Sequence, residues 1–171
     1  MPENNGMTII ASKGTLDWAF PPFIVGSTAA AMGKEVTIFF TFYGLGLLLK
    51  DLSGLRVSPQ GNPAMPMKMP FGPQWLQKID FGPKIPNIMW NIPGMELFAT
   101  SMMKKTMKKN NIATIEELRD VCLEMDVKLI ACEMTIGMFG YSRDDFIDGI
   151  EYAGAATYLD IAQNSNHDLF I

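Results

Sequence analysis

Two cysteines, Cys122 and Cys132, are the strongest nucleophiles in this 171-residue chain, and their settings differ. Cys132 closes the apolar run Val127-Lys-Leu-Ile-Ala-Cys132 and opens onto Glu133-Met134. That is where a strand hands over to a loop, and open α/β sheets gather ligands beyond the carboxyl ends of their strands. A thiol there can act as a nucleophile through its thiolate. A small buried hydrophobe also fits the position. Cys122 instead shares a helical stripe with Ile115, Leu118 and Met125, which predicts a core role. The spacing of the two cysteines matches neither a CxxC redox pair nor a zinc-ligand pair.

Two further segments follow predicted strands in the same way, Ser12-Lys13-Gly14 and Phe42-Tyr43-Gly44. The candidate site is therefore Cys132, flanked by Ser12, Lys13, Gly14, Tyr43, Gly44, Glu133 and Met134. Other templates find little support. The single histidine, His167, lies near the end of the chain, and nothing in its spacing pairs it with Cys132. Gly44-Leu45-Gly46 lacks the third glycine of a dinucleotide fingerprint, and no GK[ST] motif is present. The cluster Asp144, Asp145, Asp148 and Glu151 lacks Ca²⁺-loop spacing and reads as a solvated face. No metal and no cofactor is expected.

The elements that must position Cys132 read as alternating strands and helices. Met7–Ala11 is a short β-branched strand, and Val36–Phe42 a second strand that is apolar on both faces. Between them a helix is predicted over Thr15–Met32, ended by Gly33, with Pro21-Pro22 forcing a kink or a late start. Tyr43–Gly46 reads as a turn, and Leu47–Leu49 as the opening of a short helix. Thr114 and Glu117 form a capping box that opens the helix carrying Cys122. After Cys132 come a loop over Thr135–Gly140, a short helix over Arg143–Phe146 and a turn at Asp148-Gly149. A strand near Ile150–Tyr152, a helix over Ala155–Gln163 and a terminal edge strand over Leu169–Ile171 complete the order. The expected fold is a single α/β domain over 1–171. Its open, mostly parallel sheet carries helices on both faces in flavodoxin-like layering.

Residues 50–93 interrupt that alternation. Eight of the eleven prolines fall between Pro59 and Pro93, and eight of the fourteen methionines between Met65 and Met107. So long an irregular insertion points to a lid, a contact between copies or local disorder. Phe71, Trp75, Phe81 and Trp90 within it call for cover. A basic amphipathic helix is predicted over 94–110. Met95, Phe98, Ala99, Met102, Met103 and Met107 form its apolar face, with Lys104, Lys105 and Lys108 opposite. Peripheral contact with an anionic membrane or a partner is one reading of Lys104–Lys109, and a plain solvated face is the other.

Composition narrows the classes further. The net charge of −4 is unevenly placed: residues 50–112 hold nine basic against three acidic side chains, and 113–171 three against twelve. An acidic last third disfavours a nucleic-acid partner. A chain of this length buries roughly 70% of its unfolded surface and needs no disulfide staples. The first residues lack a signal peptide's basic and apolar regions, and no uncharged apolar stretch reaches the ~18 residues of a membrane span. A soluble cytoplasmic protein is the expectation.

The combination of segments adds a resemblance. Thr28-Ala-Ala-Ala-Met-Gly33 followed by Val36–Leu45, then Lys128-Leu-Ile-Ala-Cys132-Glu-Met-Thr135, then Asp145–Leu159, resembles the DsrE/DsrF-like sulfurtransferase family across nearly the whole chain. It is most similar to the DsrE3-type members, which share a Met/Pro-rich middle and a Met-Met-Lys-Lys segment, here Met102–Lys105. The resemblance implies that Cys132 accepts sulfane sulfur or a thiosulfonate and passes it to partner proteins. TusA-like or rhodanese-like sulfur carriers and donors are the partners it suggests, with trimers or their multiples as the assembly. Many relatives carry glutamine after this cysteine, where this chain has Glu133. A carboxylate close to the thiol would raise its pKa, leaving activity to depend on a partner or on Lys13. The alternative is a non-catalytic subunit of an oligomeric or membrane-surface assembly, with Cys132 merely packed.

Overall fold

The computed structural model describes residues 5–58, 72–79, 92 and 94–171. Its sheet has five strands among the described residues: β1 (Gly6–Ala11), β2 (Glu35–Phe40), β3 (Lys128–Cys132), β4 (Glu151–Ala153) and β5 (Ser165–Phe170). They are ordered β4-β3-β2-β1-β5, and every neighbouring pair is parallel. The three central strands are buried along most of their length, which is why they read as continuous apolar runs. Among the described residues β5 pairs only with β1 and forms an edge. Its polar start, Ser165-Asn166-His167-Asp168, conceals a strand that begins well before Leu169.

Helices α1 (Leu16–Ala31) and α4 (Ile115–Glu124) pack together on one face of the sheet. Phe23 of α1 meets Phe40 of β2 with ring centroids 5.5 Å apart. Burying each such side chain is worth about 1.5–3 kcal/mol. Gly26 lets α1 approach β2, because a Cβ there would lie 2.8 Å from Ile38 Cδ1. Helix α6 (Ala155–Ala162) covers the other face, where Tyr158 joins Phe39, Ile130 and Cys132 in one buried cluster. The Tyr158 hydroxyl donates to Thr8 Oγ1 at 3.2 Å, and Thr8 in turn bonds Asp168.

Three local expectations change. Helix α1 starts at Leu16 after Thr15, so no late start occurs, and Pro21 and Pro22 sit inside the helix. Their missing N–H groups would have bonded the carbonyls of Asp17 and Trp18. Strand β2 stops at Phe40, and Phe42–Leu48 winds as a 3-10 segment whose first residue is left-handed at φ +48°. The stretch expected as a loop over Thr135–Gly140 is largely helix α5 (Glu133–Phe139), ended by left-handed Gly140. Seven residues with an internal glycine show too little periodicity to announce a helix. The capping box does form: Glu117 N–H donates to Thr114 Oγ1, and Thr114 N–H to Glu117 Oε2.

The chain divides into two compact units, Met1–Leu55 with Thr114–Ile171, and Arg56–Ala113. The second takes in most of the Met/Pro-rich insertion and all of the basic helix. Within it a short helix α2 (Gln74–Gln77) precedes α3 (Met95–Lys109). Ala99, Thr100 and Met102 of α3 are buried, whereas Phe98, expected on the apolar face, is 49% exposed. Thr100 takes its place on the buried side, accepting from Val57 N–H and donating to Glu96 O. Trp75 is exposed. Phe71, Phe81 and Trp90 lie outside the described residues. No helix among the described residues is long and apolar enough to cross a membrane.

Candidate functional site

Cys132 is the last residue of β3, and α5 begins directly after it. The thiol is nearly enclosed, with the residue 3% exposed. Burial by itself pushes the thiol pKa up, since it disfavours the thiolate. Nearby hydrogen-bonding groups more than offset it: the Thr135 hydroxyl first, then the Thr135 N–H, the Thr41 hydroxyl and the Met134 N–H, each favour the charged sulfur. The net shift is downward, toward a thiolate formed more readily than by an ordinary cysteine. The geometry around these donors is tight. Thr135 is buried, its Oγ1 lies 3.2 Å from Thr41 Oγ1, and it accepts from the Phe42 N–H at 3.3 Å.

The strand-end residues meet here in different capacities. The Met134 N–H favours the charged sulfur, while its side chain stays exposed. Ser12, Gly14, Tyr43 and Gly44 lock two neighbouring turns together. Gly44 N–H donates to Ser12 O at 3.1 Å, and Thr41 N–H to Ala11 O at 3.0 Å. A Cβ on Gly14 would stand 2.0 Å from Tyr43 O, and one on Gly44 2.1 Å from Ala11 O. Ser12 also donates through its N–H and hydroxyl to Ile171 O. The Tyr43 ring is exposed and lies 5.9 Å from that of Phe139.

Two residues do not act on the thiol as the sequence suggests. The Glu133 carboxylate accepts from Arg143 Nη2 at 2.6 Å, and Glu133 is not among the groups that shift the thiol. The expected upward push from Glu133 is therefore replaced by a downward shift from hydroxyl and amide donors. Lys13 places its ammonium 3.2 Å from the centroid of the Trp18 ring, and it too is absent from the groups acting on Cys132. Sequence reading missed Thr41 and Thr135. Thr135 stands three residues past Cys132, which brings it back beside the thiol only once α5 is known to be a helix.

His167 belongs to β5, with β2 and β1 intervening between it and the strand of Cys132. A Cys–His dyad is thereby ruled out, and His167 Nδ1 meets Asn166 Oδ1 at 2.7 Å instead. Cys122 is fully buried, its thiol donates to Phe23 O at 3.6 Å, and burial pushes its pKa up to about 11. That environment suits packing, not transfer. Replacing Cys122 with alanine should lower stability by about 1 kcal/mol in urea unfolding and leave the alkylation rate of Cys132 unchanged. Loss of Cys132 reactivity in a folded Cys122→Ala variant would show that the two thiols work together.

Comparison with known proteins places this geometry in a family. The model of the DsrE/DsrF/DrsH-like family matches residues 3–170. The chain is 49% identical over 169 residues to the sulfur carrier protein DsrE2 of Allochromatium vinosum, covering 99% of each chain. That relative's name gives a different subtype from the DsrE3-type resemblance. It is 34% identical over 171 residues to the uncharacterized protein YrkE of Bacillus subtilis, covering 96% of this chain and 95% of that one. Its fold is similar to the crystal structure of the YchN protein from E. coli, with a TM-score of 0.54, 9% identity and coverage of 98% and 99%. The parallel five-stranded sheet, the helices on both its faces and the match along almost the entire chain lead to one assignment: this protein belongs to the DsrE/DsrF/DrsH-like family.

Proposed function

We propose that the protein is a cysteine-based sulfur carrier that accepts sulfane sulfur on Cys132 and hands it to a partner protein. The observation that carries this reading is the place of Cys132, at the carboxyl end of β3 and the N-cap of α5, where the paired hydroxyls of Thr41 and Thr135 help to hold its thiol pKa below the ordinary value despite burial. The relationship to a sulfur carrier protein supports it. In the loading step the Cys132 thiolate attacks the outer sulfur of a donor persulfide. A bond forms between Sγ and that sulfur, the donor's S–S bond breaks, and the donor leaves as its thiolate. Cys132 then holds the persulfide, and an acceptor thiolate removes the sulfur by the same exchange in reverse, regenerating the Cys132 thiolate. No oxidant or reductant is consumed. The low exposure of Cys132 favours a single-atom cargo over a bulky sulfonate group.

Partners in this reading are proteins that present a persulfide or a free thiolate on a projecting segment, in the manner of rhodanese-like donors and TusA-like carriers. The acidic last third of the chain would steer basic ones toward the site. The cytoplasm, where thiols are kept reduced, suits a carrier of this kind. Self-association as a trimer or a multiple of one is part of the same reading. Exposed Phe42, Tyr43, Met134, Met138 and Phe139 near the carboxyl ends of β2 and β3 would gain cover from it. Sedimentation at micromolar concentration should show an assembly, and a monomer alone would contradict it.

Cyanide tests the carrier role. Protein incubated with polysulfide and freed of excess reagent should release thiocyanate in proportion to the amount of chain. Folded protein that yields none would contradict the assignment.

A further inference from the structure

The turn that follows β2 has an unusual residue at its head. Phe42 is left-handed at φ +48°, a conformation that strains a non-glycine residue and persists only where its surroundings hold it. Here the surroundings do so: Gly44 N–H bonds both Thr41 O at 3.0 Å and Ser12 O at 3.1 Å, and Thr41 N–H bonds Ala11 O. The turn sets the Phe42 N–H 3.3 Å from Thr135 Oγ1.

That contact decides where the Thr135 proton can go. A hydroxyl has one proton to give and two lone pairs with which to accept. The Phe42 N–H occupies one lone pair, so the proton must point elsewhere; Thr41 Oγ1 lies 3.2 Å away, and Cys132 stands one helical turn back at the N-cap of α5. If Thr41 donates to Thr135, the Thr135 proton falls on the sulfur. Once the sulfur is charged it attracts that proton in preference to a neutral hydroxyl oxygen. Accepting from an N–H also polarises the Thr135 hydroxyl and makes it a better donor. Thr135 is 1% exposed, so its proton is not diverted to bulk solvent.

We propose that Thr135, its hydroxyl aimed by the backbone N–H of Phe42, donates to the Cys132 sulfur and holds it as a nucleophilic thiolate. The role rests on Cys132 being the carrier thiol, as proposed above. In that role Thr135 would touch the reacting atom, and the Phe42 amide would act through it as a positioning group. Of the titratable groups on the elements packed around Cys132, Glu35, Lys128, Glu151 and Asp160 are exposed to solvent, and three others are engaged elsewhere. Tyr158 of α6 donates to Thr8, Tyr152 of β4 donates to Arg143 O, and Glu133 of α5 pairs with Arg143.

The test is the pH profile of iodoacetamide alkylation at Cys132, read by mass spectrometry on the tryptic peptide Leu129–Arg143 of the full chain. Thr135→Val and Thr135→Ala should move the half-maximal pH upward and slow alkylation at neutral pH by about tenfold, as expected when a hydrogen bond to a charged atom is lost. The plateau rate at high pH should stay the same, and Thr135→Ser should restore the wild-type profile. Using two apolar variants allows for one of them failing to fold. An unmoved midpoint in the folded apolar variants would overturn the proposal. So would a Thr135→Ser midpoint shifted as far as that of Thr135→Val, or a drop in the plateau with no shift. Alkylation requires no sulfur donor, so its outcome stands apart from cyanide release, which tests the carrier role itself.

Discussion

A Cys132→Ser protein is expected to fold as the wild type does and to release no thiocyanate after polysulfide treatment. Serine fits because the hydroxyl oxygen can accept from the same Thr135, Thr41 and Met134 donors that now face the sulfur. It fails chemically because an alkoxide is not formed at neutral pH and an oxygen–sulfur adduct does not survive as a carrier. Far-ultraviolet circular dichroism and urea unfolding would confirm the fold, and cyanide release would report the loss. Full sulfur release from Cys132→Ser would move the carrier role to another group and leave Cys132 as a packing residue.

The second large effect is structural and originates at Gly44. Its missing side chain lets the 3-10 segment lie against the end of β1, where a Cβ would stand 2.1 Å from Ala11 O and 2.7 Å from Ala11 C. Both are backbone atoms of a buried strand end, so no flexible side chain can give way. Gly44→Ala should therefore cost about 3 kcal/mol, the upper end for forcing extra volume into a packed site. It should also slow Cys132 alkylation at neutral pH, because Thr41 and Phe42 belong to the displaced turn. Gly46, two residues on, faces open space, and Gly46→Ala should leave the urea midpoint nearly unchanged. Equal stability of the two variants would show that the turn is not held by this close approach.

Much of the scaffold could be read from the chain because its signals are local. The apolar runs of β1, β2 and β3, the glycine after α1 and the Thr114–Glu117 box each depend on a few adjacent residues. The pattern failed where tertiary contacts override it. Helix α5 is short and contains a glycine, so its formation rests on packing beside β3 and the 3-10 segment. Cys132 was visible as a strand-end thiol, but the residues that tune it were not. Thr41 and Thr135 are polar, common and distant in sequence, and only the folded turn and helix bring their hydroxyls within 3.2 Å. Glu133 shows the converse error: adjacency in sequence suggested influence over the thiol, yet its carboxylate turns to Arg143. Arg119 was likewise unforeseen. It is buried and donates to Leu47 O and Leu49 O, fastening α4 to the end of the 3-10 segment. A charged residue on a helix gives no sign in sequence that it will satisfy carbonyls some seventy positions earlier.

In the proposed function Cys132, and not Cys122, carries sulfur. The two thiols separate cleanly on tryptic digestion, because Lys128 lies between them. The most direct measurement is peptide mass spectrometry of the wild-type protein after polysulfide treatment and alkylation under native conditions. The expected result is a peptide Leu129–Arg143 heavier than its directly alkylated form by one sulfur atom, with the Cys122 peptide carrying no added sulfur. Sulfur on the Cys122 peptide alone, or on neither, would contradict it.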